Sequence, residues 1–179
     1  QSPASMAIKS SYVSDDFFGY LDPGEGGNLG AVTLDLGIGR IPANSLAEAQ
    51  GVVSKIARYA DPALSIGSWR QRFNFVSDDV DEDWEQILTL VSDKIAQRVD
   101  TQHADFEVRK LYSDGYAQVS SAGNQSYPKL REELLRSTEE GNLITTYVGH
   151  GGEVNWASED ILQLEDCRNF ANSVRLPLF

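Results

Sequence analysis

The sequence predicts an α/β fold built on a mostly parallel sheet, and two observations lead to this prediction. Short apolar runs that suit buried strands alternate along the chain with segments whose apolar residues recur every three or four positions, as in amphipathic helices. Because a parallel strand is followed by a crossover that returns the chain to the same edge, this alternation favours parallel strands joined by helices. With 179 residues, 41% of them hydrophobic, the chain can bury a core.

Charge and composition exclude several classes of function. The 15 basic and 27 acidic residues give a net charge of -12, which would repel the phosphate backbone of a nucleic acid. No apolar run approaches the roughly 18 residues that a membrane span needs, and the opening stretch QSPASMAIKS lacks the regions of a signal peptide. The single cysteine, Cys167, rules out an internal disulfide and a multi-cysteine metal site.

The first part of the chain contains a predicted loop, a strand candidate and a helix. Residues 22–30 (DPGEGGNLG) are rich in Pro, Gly and Asn, which predicts an exposed loop, and the apolar run 31–39 (AVTLDLGIG) after it is a strand candidate. Ser45 and Glu48 have the spacing of a capping box, and apolar residues at helical spacing follow them. A helix is therefore predicted from about residue 46 to residue 59.

A subdomain boundary is predicted where this helical period breaks down, in residues 61–69 (DPALSIGSW). We therefore expect residues 1–64 to belong to a first subdomain and residues 65–179 to form a second. The second opens with the strand candidate 72–78 (RFNFVSD), which leads into the acidic cluster 78–83 (DDVDED).

The rest of the second subdomain repeats the alternation of helix and strand. A helix is predicted from about residue 82 to residue 99, then a strand over residues 106–112 (FEVRKLY). Pro128 is placed to begin the next helix and Gly141 to end it, and the strand 143–149 (LITTYVG) follows. The apolar face of the first of these helices consists of Trp84, Ile87, Leu88, Val91, Ile95 and Val99.

Both ends of the chain look cut. The first residue is not Met, and residues 174–179 (VRLPLF) start like a buried strand that stops after a few residues. We therefore expect this chain to be an excised part of a longer protein.

The stretch 147–156 (YVGHGGEVNW) contains the main candidate for a functional site. It places His150 directly after a predicted strand, and ligands of open parallel sheets bind outside the carboxyl ends of the strands. Gly149, Gly151 and Gly152 permit backbone angles and close approaches that side chains would block, so the loop could offer an amide N–H to a substrate oxygen. This pattern is typical of an oxyanion hole beside an acid–base histidine.

A carboxylate partner for His150 is available at the end of the neighbouring strand, in Ser77-Asp78-Asp79. Asp79 and His150 form a plausible pair, in which the carboxylate fixes the tautomer and orientation of the imidazole. The alternative is that GHGG is only a tight turn and the acidic cluster only a solvated helix start. The cluster could also bind calcium through its oxygens, although it lacks the spacing of a calcium-binding loop.

Two other reactive side chains are not expected to be catalytic. His103 has neither a glycine frame nor a strand end beside it, and it is predicted to lie in a surface loop. Cys167 lies in the probable helix 161–170 (ILQLEDCRNF) among apolar residues, with no group placed to lower the pKa of its thiol. A structural role is therefore predicted for Cys167.

Several stretches of the chain resemble the gingipain family of cysteine peptidases, whose fold is caspase-like. The most specific are GIGRIPA with the helix after it, and YVGHGGEVNWA; SSYVSDDFFGYLD, RFNFVSDD, YPKLREELL and RLPLF support them. Together these stretches span nearly the whole chain. The resemblance implies a caspase-like three-layer sandwich with two subdomains and a mostly parallel sheet, truncated here at both ends.

The resemblance also implies roles for individual residues. His150, in the GHG motif, would be the catalytic histidine, and the backbone N–H of Gly151 the oxyanion donor. Asp79 best matches the acidic residue that pairs with the histidine, with Asp78 adjacent to it. Trp156 would shape the floor of the site, either by packing or by contacting the substrate.

The nucleophilic cysteine of the family lies at the end of the strand that begins like RLPLF, so the resemblance places it a few residues beyond Phe179. Cys167 does not match that position, and the chain is expected to be inactive without the nucleophile. No cofactor is implied.

The resemblance implies a cysteine peptidase that acts on proteins or peptides at the cell surface or outer membrane. One branch of the family serves the type IX secretion system: it removes C-terminal signal domains from secreted cargo and can attach the cargo to a surface amine. Alternatives are a degradative surface protease that cleaves after basic residues, or a non-catalytic surface module that keeps the fold. A chain that lacks strands is also expected to self-associate through exposed sheet edges.

Overall fold

The computed structural model describes residues 15–25, 33–121 and 123–179. It divides into two compact units, residues 1–52 and residues 53–179, which are described separately below. The subdomains predicted at residues 1–64 and 65–179 stay a prediction.

Helices and strands alternate in the described residues. The α-helices are α1 (Leu46–Ala60), α2 (Pro62–Ser65), α3 (Gln86–Gln102), α4 (Pro128–Glu140) and α5 (Leu164–Asn169). The strands are β1 (Arg72–Ser77), β2 (Glu107–Tyr112), β3 (Val119–Ser121), β4 (Asn124–Ser126), β5 (Ile144–Val148), β6 (Asn155–Trp156) and β7 (Leu162–Gln163). Among the residues described, no helix combines the length and the apolar character that crossing a membrane requires. The strands predicted at residues 72–78, 106–112 and 143–149 are confirmed.

The strand predicted at residues 31–39 is not found in its described part, residues 33–39, which is irregular. Gly37 and Gly39 interrupt the apolar run, and glycine weakens a strand because it loses more conformational entropy and packs no side chain. The segment is instead tied locally, since Asp35 N donates to Gly19 O at 3.0 Å. Residues 26–32, which include most of the predicted loop, lie outside the described residues.

Helix α1 begins where the sequence predicts it, at a capping box. Ser45 Oγ accepts a hydrogen bond from Glu48 N at 3.2 Å, while the Glu48 carboxylate accepts one from Asn44 N at 2.6 Å. The return bond therefore reaches one residue further back than in the usual box, where the carboxylate bonds the N-cap amide.

The central sheet is parallel and has the strand order β2-β1-β5. Ser77 at the end of β1 lies opposite Tyr112 in β2 and Val148 in β5, so the three strands end level with one another. Leu178 forms an isolated parallel bridge with Ile144 on the other side of β5, and the rest of the stretch 174–179 is turn, bend or irregular, so that this stretch begins a strand stays a prediction.

The sheet lies between α3 on one face and α4 on the other. Side chains alternate along β1, so neighbouring residues of this strand face different helices. Asn74 Nδ2 donates to Ser137 Oγ of α4 at 2.6 Å, and Val76 packs with Leu130 of α4 in the main apolar cluster. Ser77 Oγ lies 3.1 Å from Thr89 Oγ1 of α3 on the opposite face. The predicted α/β sandwich is confirmed.

Helix α3 lies against the sheet through small side chains. Ser92 and Ala96 are fully buried, and they let the helix backbone approach the strands closely. The apolar face predicted for this helix stays partly exposed: Trp84 is 62% exposed, Ile87 55% and Ile95 45%. The sequence period therefore finds the helix but not the side that is buried.

Candidate active site

The ends of β1 and β5 bring the main sequence candidates together. The ladder between these two strands continues one residue past β1, because Asp78 N donates to Val148 O at 3.2 Å. The chain after Val148 then turns through Gly149 to His150. Asp78 and His150 therefore meet at the carboxyl edge of the parallel sheet, where ligands of such sheets bind.

Asp78 fixes both the backbone and the ring of His150. Its Oδ2 atom accepts a hydrogen bond from His150 N at 2.8 Å and lies 2.9 Å from His150 Nδ1. The Asp78 side chain is 4% exposed and that of His150 is 52% exposed. This geometry assigns the Nδ1–H to Asp78 and leaves Nε2 on the side of the ring away from Asp78, where it could exchange a proton with a reacting group.

The negative environment favours the charged form of His150. The hydrogen bond to Asp78 raises the pKa of His150 above its usual value, and the charges of Asp78, Glu85 and Asp79 add to this effect. Desolvation opposes it. A histidine in this setting holds its proton more readily than one in water, as suits a residue that donates a proton during a reaction.

Asp79, the partner that the sequence predicts for His150, lies next to the pair and bonds elsewhere. Its Oδ2 atom accepts hydrogen bonds from Tyr127 Oη at 2.8 Å and Gln118 Nε2 at 3.3 Å. The physical reason is that Asp78, not Asp79, is the residue that continues the pairing with β5. Burial, with the charges of the adjacent aspartates, raises the pKa of Asp79. The structure therefore pairs Asp78 with His150, and a catalytic role for Asp79 stays a prediction.

Two glycines of the loop, Gly149 and Gly152, lie too close to their neighbours for a side chain, and none of the three glycines has a left-handed backbone. A Cβ atom on Gly149 would collide with the Tyr147 hydroxyl and would lie 2.6 Å from Asp78 Cβ, and one on Gly152 would lie 2.6 Å from Asn155 Oδ1. A Cβ atom on Gly151 would meet nothing nearer than 3.6 Å. Since none of the three has a positive φ, the expected freedom of backbone angles is not what this loop uses.

The amide of Gly151, the predicted oxyanion donor, is not consumed by the loop's own pairing. Gly151 and Trp156 form an antiparallel bridge in which the bonds come from the amides of Gly152 and Ala157, both at 2.9 Å. The Gly151 N–H takes no part in these two bonds. Its predicted role therefore remains compatible with the geometry of the loop.

Trp156 supports the loop through Tyr147, a residue that the sequence analysis did not single out. The two rings stack with centroids 4.5 Å apart and planes 5° apart, and Tyr147 Oη donates to His150 O at 2.6 Å. Trp156 also contacts the ring of Phe179 edge-on, with centroids 5.9 Å apart. The position of Tyr147 on a strand that ends at the GHG motif was the only available signal.

Glu85 is a second site residue, to which the sequence alone assigns no specific role. Its side chain is 8% exposed, and its Oε1 atom lies 3.5 Å from His150 Nε2. Its other oxygen accepts hydrogen bonds from Asp81 N at 2.8 Å and Glu82 N at 2.7 Å. The ring of Trp84, beside it in the chain, stands perpendicular to the imidazole at 5.9 Å. The capping-box spacing of Glu82 and Glu85 was the signal in the sequence.

Three buried carboxylates near the loop could present oxygens to a cation. Asp78, Asp79 and Glu159 each place an oxygen within 4.8 Å of the other two. Burial raises the pKa of Glu159, and the charges of the two aspartates add to this effect. However, Asp78 Oδ2 already bonds His150, and Asp79 Oδ2 already bonds Tyr127.

The remaining candidates lie outside this cluster. Cys167 is exposed on α5, and desolvation of its thiol, together with the charge of Asp166, raises the pKa of Cys167. A raised pKa is the opposite of what an activated nucleophile needs. His103 is exposed at the end of α3, where its N–H donates to Val99 O at 2.9 Å.

Comparison with known proteins adds one match. The family model described as peptidase family C25 matches residues 2–179. Comparisons with curated proteins and with solved structures each found no match.

Proposed function

Because the chain belongs to peptidase family C25, a family of cysteine peptidases, we propose that it carries the acid–base half of a processing peptidase. The proposed activity is removal of C-terminal signal domains from secreted cargo, as by PorU, the sortase of the type IX secretion system. The stretches GIGRIPA and YVGHGGEVNWA carry the resemblance to PorU.

One observation carries the proposal: a half-exposed imidazole at the carboxyl edge of a parallel sheet, fixed through Nδ1 at 2.9 Å by the buried carboxylate of Asp78. In this role Asp78 orients His150, and Nε2 exchanges the proton. General acid–base catalysis by a positioned histidine typically contributes about 10²–10⁴ in rate.

The resemblance to the family supports a nucleophile a few residues beyond Phe179, and we propose it there. Thr145 N donates to Leu178 O at 2.8 Å, and Leu178 N donates to Leu143 O at 3.0 Å, so this segment runs parallel to β5. Because Leu178 lies opposite Ile144, a continuing strand would reach the level of Val148, beside the GHG loop, after four more residues. A cysteine there would be within reach of His150.

The proposed reaction begins with the thiolate of that cysteine. Its sulfur forms a bond to the peptide carbonyl carbon, and the Gly151 N–H donates to the oxygen that becomes negative. The C–N bond then breaks, and the leaving amine takes a proton from His150. Water or an acceptor amine next attacks the carbonyl carbon of the acyl-enzyme and gives a proton to His150. The C–S bond then breaks, which restores the thiolate and releases the cargo or joins it to the amine. Without the thiol, the 179-residue chain is expected to be inactive.

The proposed setting is the cell surface or outer membrane, with secreted proteins as substrates and other type IX secretion components as partners. Trp156 is proposed to help form the substrate-binding floor. The chain is also proposed to self-associate in isolation, because β2 pairs with β1 alone among the described strands.

The test uses the full-length protein and a cargo with its signal domain. We expect His150→Ala to slow signal removal by at least about 10²-fold, and His103→Ala, the matched control, to leave it unchanged. Full processing by His150→Ala would refute the catalytic assignment. A strong preference for cleavage after basic residues in a peptide library would instead favour the degradative protease. A residue other than cysteine at the proposed nucleophile position would favour the non-catalytic module.

The pairing of Asp78 with His150 is tested by two neighbouring substitutions. We expect Asp78→Asn to lower kcat by about 10²–10⁴, because the imidazole loses the carboxylate that sets its tautomer. Asp79→Asn should cost less than about tenfold, because it changes a partner of Tyr127 rather than of the ring. A larger loss of kcat in Asp79→Asn than in Asp78→Asn would show that Asp79 is the residue that orients His150. Circular dichroism of both variants checks that the fold is kept.

A further inference from the structure

We propose that Glu85 is a positioning residue for His150, which holds the Nε2 side of the imidazole from the start of α3, opposite Asp78. This inference deepens the proposed function and rests on His150 being its acid–base group. It assigns a task to a buried carboxylate that the pairing of Asp78 with His150 leaves unused.

The two oxygens of Glu85 face different partners. Oε2 accepts hydrogen bonds from Asp81 N and Glu82 N at 2.8 and 2.7 Å, which fixes the carboxylate in place. Oε1 then lies 3.5 Å from His150 Nε2, which is longer than a hydrogen bond and within the range of an ion pair. The position of the charge is therefore set by the backbone of the helix start and does not depend on the histidine.

Burial gives this charge more effect than an exposed carboxylate would have. The Glu85 side chain is 8% exposed, so water screens it poorly on the protein side. The Trp84 ring, perpendicular to the imidazole at 5.9 Å, covers part of the approach beside it. The imidazole thus lies between two buried carboxylates, one near each ring nitrogen.

The titratable groups that face His150 come from three elements. Asp78 and Asp79 follow β1, Glu85 precedes α3, and Tyr147 of β5 bonds the His150 carbonyl. The hydrogen bond to Asp78 is the largest cause of the raised pKa of His150, and the charge of Glu85 is a separate, smaller cause. All three carboxylates act in the same direction, so removing the charge of Glu85 should weaken the hold on the proton without releasing the ring from Asp78.

The chemical consequence concerns the proton on Nε2. In the absence of substrate Nε2 lies 3.5 Å from Glu85 Oε1, and in the proposed reaction the proton on Nε2 passes to the leaving amine. Glu85 would then keep His150 charged and aimed until the substrate takes its place as the acceptor.

The test is the titration of His150 by NMR in the 179-residue chain, which contains only two histidines. Glu85→Gln keeps an oxygen that can accept the capping hydrogen bonds and removes the charge. We expect it to lower the pKa of His150 by about 0.5–1 unit, a three- to tenfold change in the protonation constant, and to leave His103 unchanged. Glu82→Gln, the matched control in the same capping box, should leave His150 unchanged, and Asp78→Asn should lower its pKa further than Glu85→Gln.

Equal titration of His150 in Glu85→Gln and Glu82→Gln would overturn the inference. If Glu85→Gln does not fold, Glu85→Asp keeps the charge but draws it back from the ring by one methylene, and an unchanged pKa in that variant would overturn it as well. In the full-length protein, Glu85→Gln should shift the pH profile of kcat/KM by the same amount. A shift in the pKa of His150 in a full-length protein without peptidase activity would support the positioning of His150 by Glu85 and refute the proposed function. Peptidase activity with no change in the pKa of His150 in Glu85→Gln would refute only the positioning role of Glu85.

Discussion

Gly149 offers the sharpest test of how the loop is built. The substitution Gly149→Ala adds a Cβ atom that would lie 2.6 Å from Asp78 Cβ, a separation that real Cβ contacts do not reach. Gly151→Ala adds the same methyl group two residues away, where the nearest atom is 3.6 Å distant. Because neither glycine has a positive φ, the pair separates steric crowding from backbone strain.

The expected magnitudes follow from this geometry. Forcing an extra methyl group into a packed site typically costs about 1–3 kcal/mol. Replacing glycine by alanine where the backbone tolerates it contributes about 0.4–1 kcal/mol of stability, through the unfolded chain. We therefore expect Gly151→Ala to be neutral or slightly stabilising. Gly149→Ala should be less stable than Gly151→Ala by about 1–3 kcal/mol.

The assay is urea unfolding followed by far-UV circular dichroism, with thermal unfolding as a second measurement. For a chain of this size, each kcal/mol of lost stability should lower Tm by about 2–4 °C. An unchanged slope with denaturant would show that the midpoint reports stability. Equal stability of the two variants would refute the claim that close approach to Asp78 and Tyr147 is what requires glycine at position 149.

Three further predictions concern pH, packing and metal. Because the pKa of His150 is raised on folding, the stability it contributes is complete below about pH 6.5 and is lost as the pH rises through the folded pKa. The difference in unfolding free energy between wild type and His150→Ala should therefore shrink with rising pH, whereas a difference independent of pH would contradict it. Leu130→Ala, at a fully buried position, should cost about 2–5 kcal/mol in urea unfolding, and a cost below about 1 kcal/mol would contradict the packing. EDTA should not change signal removal by the full-length protein, since oxygens of Asp78 and Asp79 already accept hydrogen bonds; loss of activity restored by calcium would refute this.

The sequence pattern predicts those elements of the fold whose signals are local. The strand 72–78 is a short apolar run with a clear end, and the helix from Pro128 to Gly141 has both a start and a stop signal. The strand candidate 31–39 is not found in its described part, residues 33–39, because an apolar run becomes a strand only beside a pairing partner. The buried side of α3 also escapes prediction, because small side chains there fit the sheet better than the larger apolar residues beside them.

The sequence predicts only those residues of the site that lie within the GHG motif. His150 can be found because its glycines and the strand before it are contiguous in sequence. The choice between Asp78 and Asp79 depends on which residue continues the ladder to β5, which only the register shows. Glu85 stands in an acidic run before α3, but its distance to His150 Nε2 depends on how α3 meets the sheet edge.

The stack of Tyr147 on Trp156 gives the GHG loop a spectroscopic probe of its own. Parallel aromatic rings 4.5 Å apart in a fixed chiral arrangement couple their transitions, which gives a signal in near-UV circular dichroism. Trp69 is buried and Trp84 largely exposed, so the three tryptophans report three different environments. Opening of the loop would therefore change the near-UV spectrum. Rearrangement around His150 can thus be followed in solution without attaching a label.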